Sequence, residues 1–479
     1  MTGTPLEAID TFVVLMLENR SFDHMLGWLY AESGNVSPAG QPFDGLTGAE
    51  TNPGSDGSPV SVFRITSATP NAYFMPGADP GEGYGAMNSQ MFGAITPPAS
   101  APAVSNQGFV KDFAYTLGWQ ATGKGWTILP GTTEASIMGC FDPATLPVLS
   151  GLARGFAVCD RWFAPAPTET LPNRAFAAAA TSQGHLKDRD VPYTAPTIYG
   201  ALAKAGHGWR IFGYSAPPLT QKDFPDVESA PARNFGLFAD FQAAAAAGSL
   251  PAYSFLEPAW SGTGQNDQHP VSDLAAGEQL IHDVYYALRN GPKWASTLLI
   301  VTYDESGGLF DHVPPPWTAA TPDNTIGELG FAFNRFGPRV PAVIVSPLIA
   351  AGTVFRAPAG GAPHDHTVIL KTLEIRYGLA PLTARDGAAS DLSAVLTLAA
   401  PRADDPLAGV VVPARSAAPP AAQAITHLQQ INAALTADLP VADADGGGHH
   451  LPPPMTTSDE ADRYIMGRTA AWAAQRNSG

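Results

Sequence analysis

Two pairs of neighbouring oxygen donors stand at the ends of apolar runs nearly three hundred positions apart. Glu18-Asn19 follows Phe12-Val13-Val14-Leu15-Met16-Leu17, and Asp304-Glu305 follows Ser296-Thr297-Leu298-Leu299-Ile300-Val301 and Thr302-Tyr303. Each run reads as a buried strand that delivers its polar pair at the carboxyl end, the edge where open α/β sheets bind ligands. Adjacent carboxylates at a strand end repel unless a cation neutralises them, so the pairs point to one divalent metal held by Glu18, Asn19, Asp304 and Glu305. All four are oxygen donors, which favours Mg²⁺, Mn²⁺ or Ca²⁺ and leaves Zn²⁺ as the alternative.

A hydroxyl nucleophile is available in Pro165-Ala166-Pro167-Thr168-Glu169-Thr170-Leu171-Pro172-Asn173-Arg174, which leads into Ala175-Phe176 and an alanine run. Proline followed by alanines marks a helix start, placing Thr170 beside unpaired backbone N–H groups and the positive end of the helix dipole. A phosphate or an attacking alkoxide is stabilised there. Taken alone, Thr168 or Thr170 is more commonly a helix cap. His269, in the polar loop Asn266-Asp267-Gln268-His269-Pro270, is suited to protonate a leaving alkoxide or to hydrogen-bond its own loop. Gly307-Gly308 let the chain turn sharply after the acidic pair, toward Asp311-His312. His364-Asp365-His366-Thr367 opens a further helix, where Asp365 or Thr367 serves equally well as a cap. Gly123-Lys124-Gly125 lacks the spacing and the Ser or Thr of a phosphate-binding loop. His449-His450, after three glycines, reads as a surface turn.

The elements that must position these groups alternate. Strand-like runs at 11–17, 296–303 and 340–349 are interleaved with helical patterns at 273–290, 365–377 and 457–475, which predicts a mainly parallel sheet covered by helices on both faces. Alanine-rich stretches at 175–180 and 240–247 predict further helix. Residues from about 33 to 108 are dense in Gly, Pro, Ser and Asn and read as a loop-rich insertion of the kind that walls an active site. The segments 400–422 and 440–454 read as surface connections to a final helix, so that 1–479 forms a single domain with an insertion and a C-terminal extension at about 400–479.

Composition narrows the partners. Lys+Arg 26 against Asp+Glu 43 gives a formal charge of −17, which disfavours nucleic acid and a basic surface for anionic lipid. No apolar run approaches the roughly 18 residues of a transmembrane helix. Neither a basic segment nor a long apolar one follows Met1, so a soluble protein is expected, secreted or periplasmic if a signal has been removed and otherwise cytoplasmic. Cys140 and Cys159 are the only cysteines, too few for a disulfide framework or a cysteine-rich zinc site, and they fit one bridge or two buried thiols about equally.

Taken in order, Glu18-Asn19-Arg20-Ser21-Phe22-Asp23-His24, Thr170-Leu171-Pro172-Asn173-Arg174, Asn266-Asp267-Gln268-His269-Pro270, Asp304-Glu305-Ser306-Gly307-Gly308 with Asp311-His312-Val313, and Asp365-His366-Thr367 resemble the bacterial phospholipase C and acid phosphatase phosphoesterase family. The resemblance spans about residues 10–380. It implies an alkaline-phosphatase-like three-layer α/β/α sandwich and a metal-dependent phosphoesterase acting on phosphodiesters such as phospholipid head groups. A broad-specificity phosphomonoesterase is the alternative, and a non-catalytic binding protein the remote one.

By the same resemblance, Glu18, Asn19, Asp304 and Glu305 hold the metal. Thr170 becomes phosphorylated, because the family's hydroxyl residue stands two before the Pro-Asn-Arg. Asn173 seats phosphate oxygens or the loop, Arg174 holds structure, His269 protonates the leaving group, and His312 and His366 lie near the metal or phosphate. The Thr170 block also resembles the sulfatase core, but threonine cannot be oxidised to a formylglycine aldehyde. The chain departs from the family pattern at Val271-Ser272-Asp273 and at Ser306, where many members carry histidine, and at Glu82, which replaces the histidine of an Asp-Pro-Gly-His segment.

Overall fold

The two donor-bearing runs become neighbouring strands at the centre of a mixed sheet. The computed structural model describes residues 4–98, 104–123, 128–188, 192–260, 262, 264–415, 425, 427–437, 439, 441 and 452–478. Among them the strands are β1 (Thr11–Leu17), β2 (Thr51–Pro53), β3 (Pro59–Ser61), β4 (Phe63–Ile65), β5 (Gly139–Phe141) and β6 (Ala157–Cys159). The second half of the chain adds β7 (Trp209–Gly213), β8 (Phe235–Leu237), β9 (Tyr253–Glu257), β10 (Thr297–Tyr303), β11 (Ala342–Val345) and β12 (Thr353–Phe355). An eight-stranded sheet runs in the order β12-β6-β11-β10-β1-β9-β7-β8. It is parallel from β10 to β8 and between β12 and β6, whereas β11 is antiparallel to both β6 and β10. The mainly parallel sheet read from the sequence is therefore present, with β11 as the reversed strand.

Every residue of β1 and of β10 is buried. A strand buried on both faces needs cover on both, which is why these runs are continuously apolar rather than alternating. Two packed groups of helices supply the cover. Pro147–Gly155 and Phe238–Ala247 pack on Leu274–Arg289, and Thr170–Ala179 packs on both Ile198–Lys204 and Thr367–Tyr377. Each fully buried Val, Leu, Ile or Phe in this core contributes roughly 1.5–3 kcal/mol. The helices expected at 273–290, 365–377, 240–247 and 457–475 are found at Leu274–Arg289, Thr367–Tyr377, Phe238–Ala247 and Ser458–Ser478.

The 33–108 segment is more ordered than a run of loops. It contains the β2–β3 pair, β4, which pairs with β5 from beyond the segment, and the helix Tyr84–Phe92. The C-terminal extension holds a helix at His427–Ala437 that no expectation covered. Its Leu428, Ile431 and Leu435 pack with Leu171, Leu219 and Trp260 in one apolar cluster. Cys140 on β5 and Cys159 on β6 are both buried and free, so the two-thiol alternative holds. His449-His450 and Lys124-Gly125 lie outside the described residues.

Candidate active site

Strand register brings the donor pairs together. Leu17 of β1 pairs with Tyr303 of β10, so the residues that follow each strand leave the sheet side by side. Asp304 N donates to Leu17 O at 3.2 Å, and Asn19 N donates back to Asp304 Oδ1 at 3.0 Å. Asn19 takes a left-handed conformation (φ 52°), a region asparagine enters more readily than most residues. Gly307 (φ 62°) crosses so close to this turn that a Cβ there would lie 2.3 Å from Asn19 O, and only glycine fits. Glu305 Oε2 accepts from Gly307 N at 2.7 Å, which fixes the second carboxylate against the same turn.

Thr170 is the first residue of the helix Thr170–Ala179, and its Oγ donates to Asn19 Oδ1 at 3.3 Å. Asn173 sets the geometry of that helix start. Its Oδ1 accepts from Ala166 N at 2.9 Å, and its Nδ2 donates to Thr168 O at 2.8 Å and to Glu169 O at 3.0 Å. These three hydrogen bonds tie Asn173 to the loop that leads into Thr170. Thr168 is the rival hydroxyl, but it is buried and donates to Leu186 O. Arg174 ties the helix to both strand ends, with Nε 3.1 Å from Asp304 Oδ2 and NH2 3.1 Å from Leu17 O.

A cavity of about 210 Å³ opens over Thr170, walled by Glu18, Asp79, Glu82, Asp188 and His269. Burial, reinforced by Asp304, pushes the Glu18 carboxyl well above the usual range. Burial and the Asp79 charge do the same to Glu82, burial alone to Asp79, and burial with Asp304 to Glu305. Asp188 is pushed up to about 8 by burial and by Glu169, and Asp267 to about 6 by burial. Neither carboxylate oxygen of Glu18 accepts a hydrogen bond among the described residues, nor does Glu305 Oε1, although all three are buried. The nearest guanidinium nitrogen, Arg174 NH2, is 3.8 Å from Glu18 Oε1. Buried carboxylate oxygens without donors, all of the hard oxygen type, fit a divalent cation. Ligand atoms of Asp79, Glu82 and His269 also converge within 4.8 Å of one another.

The histidines divide. His269 lines the cavity; its Nδ1 meets Pro270 O, and its Nε2 faces Glu82 Oε2 at 3.9 Å and Asp79 Oδ1 at 4.0 Å. Burial pushes its imidazole down to about 4. His366 is fully buried, and the protein occupies both ring nitrogens. Trp162 Nε1 can only donate, so His366 Nδ1 accepts from it at 3.1 Å and Nε2–H is left to donate to Asp304 O at 2.6 Å. That neutral tautomer braces Asp304 from behind. Asp365 Oδ1 accepts from Thr367 N, the first residue of the helix, at 2.8 Å, and Asp365 pairs with Arg385 at 2.8 Å.

His312 is held outside the Thr170 cavity, with Nδ1 2.6 Å from Asp23 Oδ2. Burial opposes its proton, but Asp23 outweighs burial and raises the imidazole above its ordinary value. Arg339, fully buried, closes this cluster with Nε 2.9 Å from Asp311 Oδ1 and NH2 2.8 Å from Asp23 Oδ1. Replacing it leaves buried Asp311 without its cation and buried Asp23 with His312 alone. Arg339→Met is therefore expected to destabilise the fold by about 3–5 kcal/mol, read as a lower urea midpoint at pH 7.

Asp79 and Glu82 come from the segment expected to wall an active site, whereas Asp188, Trp260, Ile425 and Leu428 were not anticipated as cavity walls. The apolar spacing Ile425, Leu428, Ile431, Leu435 was the available signal for the last two.

The profile of the phosphoesterase family matches residues 9–380. The chain belongs to that family, hydrolases of phosphoric ester bonds. Among relatives, the non-specific phospholipase C6 of Arabidopsis thaliana is 35% identical over 96% of this chain and 86% of its own length. The non-specific phospholipase C1 of the same plant is 36% identical over 79% and 69%, and the phospholipase C A of Mycobacterium tuberculosis 27% over 83% and 78%. Among solved structures, a phosphonate monoester hydrolase of Agrobacterium radiobacter aligns over 53% of this chain and 72% of its own at 16% identity, with a TM-score of 0.32. No helix among the described residues is long and apolar enough to cross a membrane.

Proposed function

We propose that this chain is a metal-dependent phospholipase C that hydrolyses the phosphodiester of phospholipid head groups through a phosphothreonine at Thr170. The carrying observation is the placement of the Thr170 hydroxyl at a helix N-terminus, 3.3 Å from Asn19 Oδ1, in a cavity walled by a carboxylate with no donor. The choice of a phospholipid rests on the relatives named as phospholipases C. Insertion and extension belong with the same domain in this reading, because Asp79, Glu82, Ile425 and Leu428 line the cavity that holds Thr170.

Glu18, Asn19, Asp304 and Glu305 would hold the cation, with Asp79, Glu82 and His269 a second group of donors nearby. When bound, a divalent cation draws charge from phosphoryl oxygens and lowers the cost of the Thr170 alkoxide. Asn19 Oδ1 orients the hydroxyl, and a cavity carboxylate takes its proton. Thr170 Oγ attacks phosphorus, the bond from phosphorus to the glycerol oxygen breaks, and His269 gives that oxygen a proton. Burial pushes the imidazole down to about 4, so the charge of the bound phosphodiester must raise its affinity for the proton. In the second half His269 takes a proton from water, water attacks the phosphothreonine, and the bond to Oγ breaks. The carboxylate then returns the Thr170 proton. Diacylglycerol and a phosphorylated head group are the products.

Turnover of phosphatidylcholine and of p-nitrophenyl phosphate, each with Mg²⁺, Mn²⁺, Ca²⁺ and Zn²⁺, tests this directly. Diester cleavage that stops with a chelator is expected. Turnover of the monoester alone would replace the phospholipase reading with a phosphomonoesterase.

A further inference from the structure

A second, larger cavity of about 660 Å³ lies between the helices Tyr84–Phe92 and Phe109–Gln120. Pro80, Ala86, Ile95, Tyr115 and Trp119 make much of its wall. Ile95 is 72% exposed, Tyr115 76% and Trp119 47%, and large apolar side chains gathered round a cavity mark a binding surface more often than chance exposure. The volume falls within the roughly 300–1,000 Å³ of small-molecule sites.

Asp79 lines both this cavity and the one over Thr170. The loop that carries Asp79 and Glu82 is fastened to the walls of the larger cavity. Gln120 Nε2 donates to Asp79 O at 2.7 Å, and Gln90 Nε2 donates to Gly81 O at 2.6 Å and to Asp112 Oδ2 at 2.9 Å. The Thr170 cavity, at about 210 Å³ and lined by acids with Trp260, Ile425 and Leu428 beside them, has room for a phosphate and its immediate substituents but not for two long hydrocarbon tails. Those tails must leave it, and the apolar cavity adjoins it across one residue. Tyr115, Trp119 and the exposed Lys111 at the rim are the residue types that sit at a lipid–water boundary, apolar body inward and polar tip outward.

We propose that this cavity binds an acyl chain of the glycerophospholipid whose phosphodiester is cleaved at Thr170. The proposal rests on the phospholipase C reading and adds the residues that select for a long-chain lipid.

Gly85 offers a direct test, since a Cβ there would meet only Ile95 Cβ at 3.9 Å and a larger side chain would fill the cavity rather than strain the backbone. The probes are long-chain phosphatidylcholine in mixed micelles and p-nitrophenylphosphorylcholine, which carries the same head-group diester and no acyl chain. Gly85→Leu is expected to lower the ratio of kcat/KM for the lipid to that for the acyl-free diester by roughly tenfold, the effect of losing about two buried methylenes. The rim variant Tyr115→Ser with Trp119→Ser is expected to move the ratio in the same direction. A ratio that stays within about twofold of wild type in both would overturn the acyl-chain site. Wild-type failure on both probes would instead overturn the phospholipase C reading.

Discussion

Thr170→Ala is expected to lower kcat on every phosphoester substrate by about 10⁴-fold or more, the scale on which loss of a covalent nucleophile is felt. Removing the hydroxyl takes away one 3.3 Å hydrogen bond to Asn19 and leaves the helix start held by Leu171 N to Asp188 Oδ1 at 2.7 Å and by the contacts of Asn173. The folded variant should therefore be obtained with nearly wild-type thermal stability, so that the loss is chemical. Thr168→Ala is the control, because its hydroxyl serves the Leu186 carbonyl. That variant should lose stability while retaining the reaction. Acid quenching during turnover should trap phosphate on the peptide containing Thr170 in wild type and on no residue of Thr170→Ala. Undiminished activity of Thr170→Ala would remove the nucleophile and return Thr170 to an N-terminal helix residue.

Much of this site was legible because it is built on regular elements. The runs ending in Glu18-Asn19 and Asp304-Glu305 are continuously apolar, which only strands buried on both faces require, and parallel neighbours present both ends on one edge. The helix start at Thr170 could be read from proline and alanine placement. What escaped reading is held by loops or by partners distant in sequence. Asp79 and Glu82 come from a segment with no period, and their convergence with His269 depends on the path of that loop. His312 and His366 stand in family-like positions, yet Asp23 claims the first and Trp162 with Asp304 the second. The spacing of Cys140 and Cys159 could not separate a bridge from two thiols; their separation onto β5, in a small two-stranded pair, and β6, in the main sheet, does.

Concentrating so many acids in one cavity has a thermodynamic consequence that links the metal to the fold. Burial raises Glu18, Glu82, Glu305 and Asp79 well above the usual carboxyl range, with Asp304 reinforcing Glu18 and Glu305 and Asp79 reinforcing Glu82, and burial with Glu169 pushes Asp188 up to about 8. In the unfolded chain the same groups titrate near about 4. A group whose pKa is raised on folding stabilises the native state below the unfolded value and loses that contribution as pH rises through the folded one. The metal-free protein is thus expected to lose thermal stability between about pH 4 and about pH 8. A divalent cation should reverse the loss, by about 2.7 kcal/mol when present at a hundred times its Kd.

Glu18→Gln isolates the part of this carried by one ligand. Glutamine keeps the shape of the protonated acid and cannot ionise, so without metal the variant should fall less steeply in Tm from pH 5 to pH 8 than wild type. With Mn²⁺ its stabilisation should be largely lost, and turnover with it, because the buried oxygens that lack donors in wild type no longer carry charge. Thermal melts of both proteins with EDTA and with Mn²⁺ across that pH range decide the matter. An Mn²⁺ shift as large in Glu18→Gln as in wild type would take Glu18 out of the metal site. Such a shift combined with lost turnover would place its carboxylate in the proton transfers at Thr170 instead.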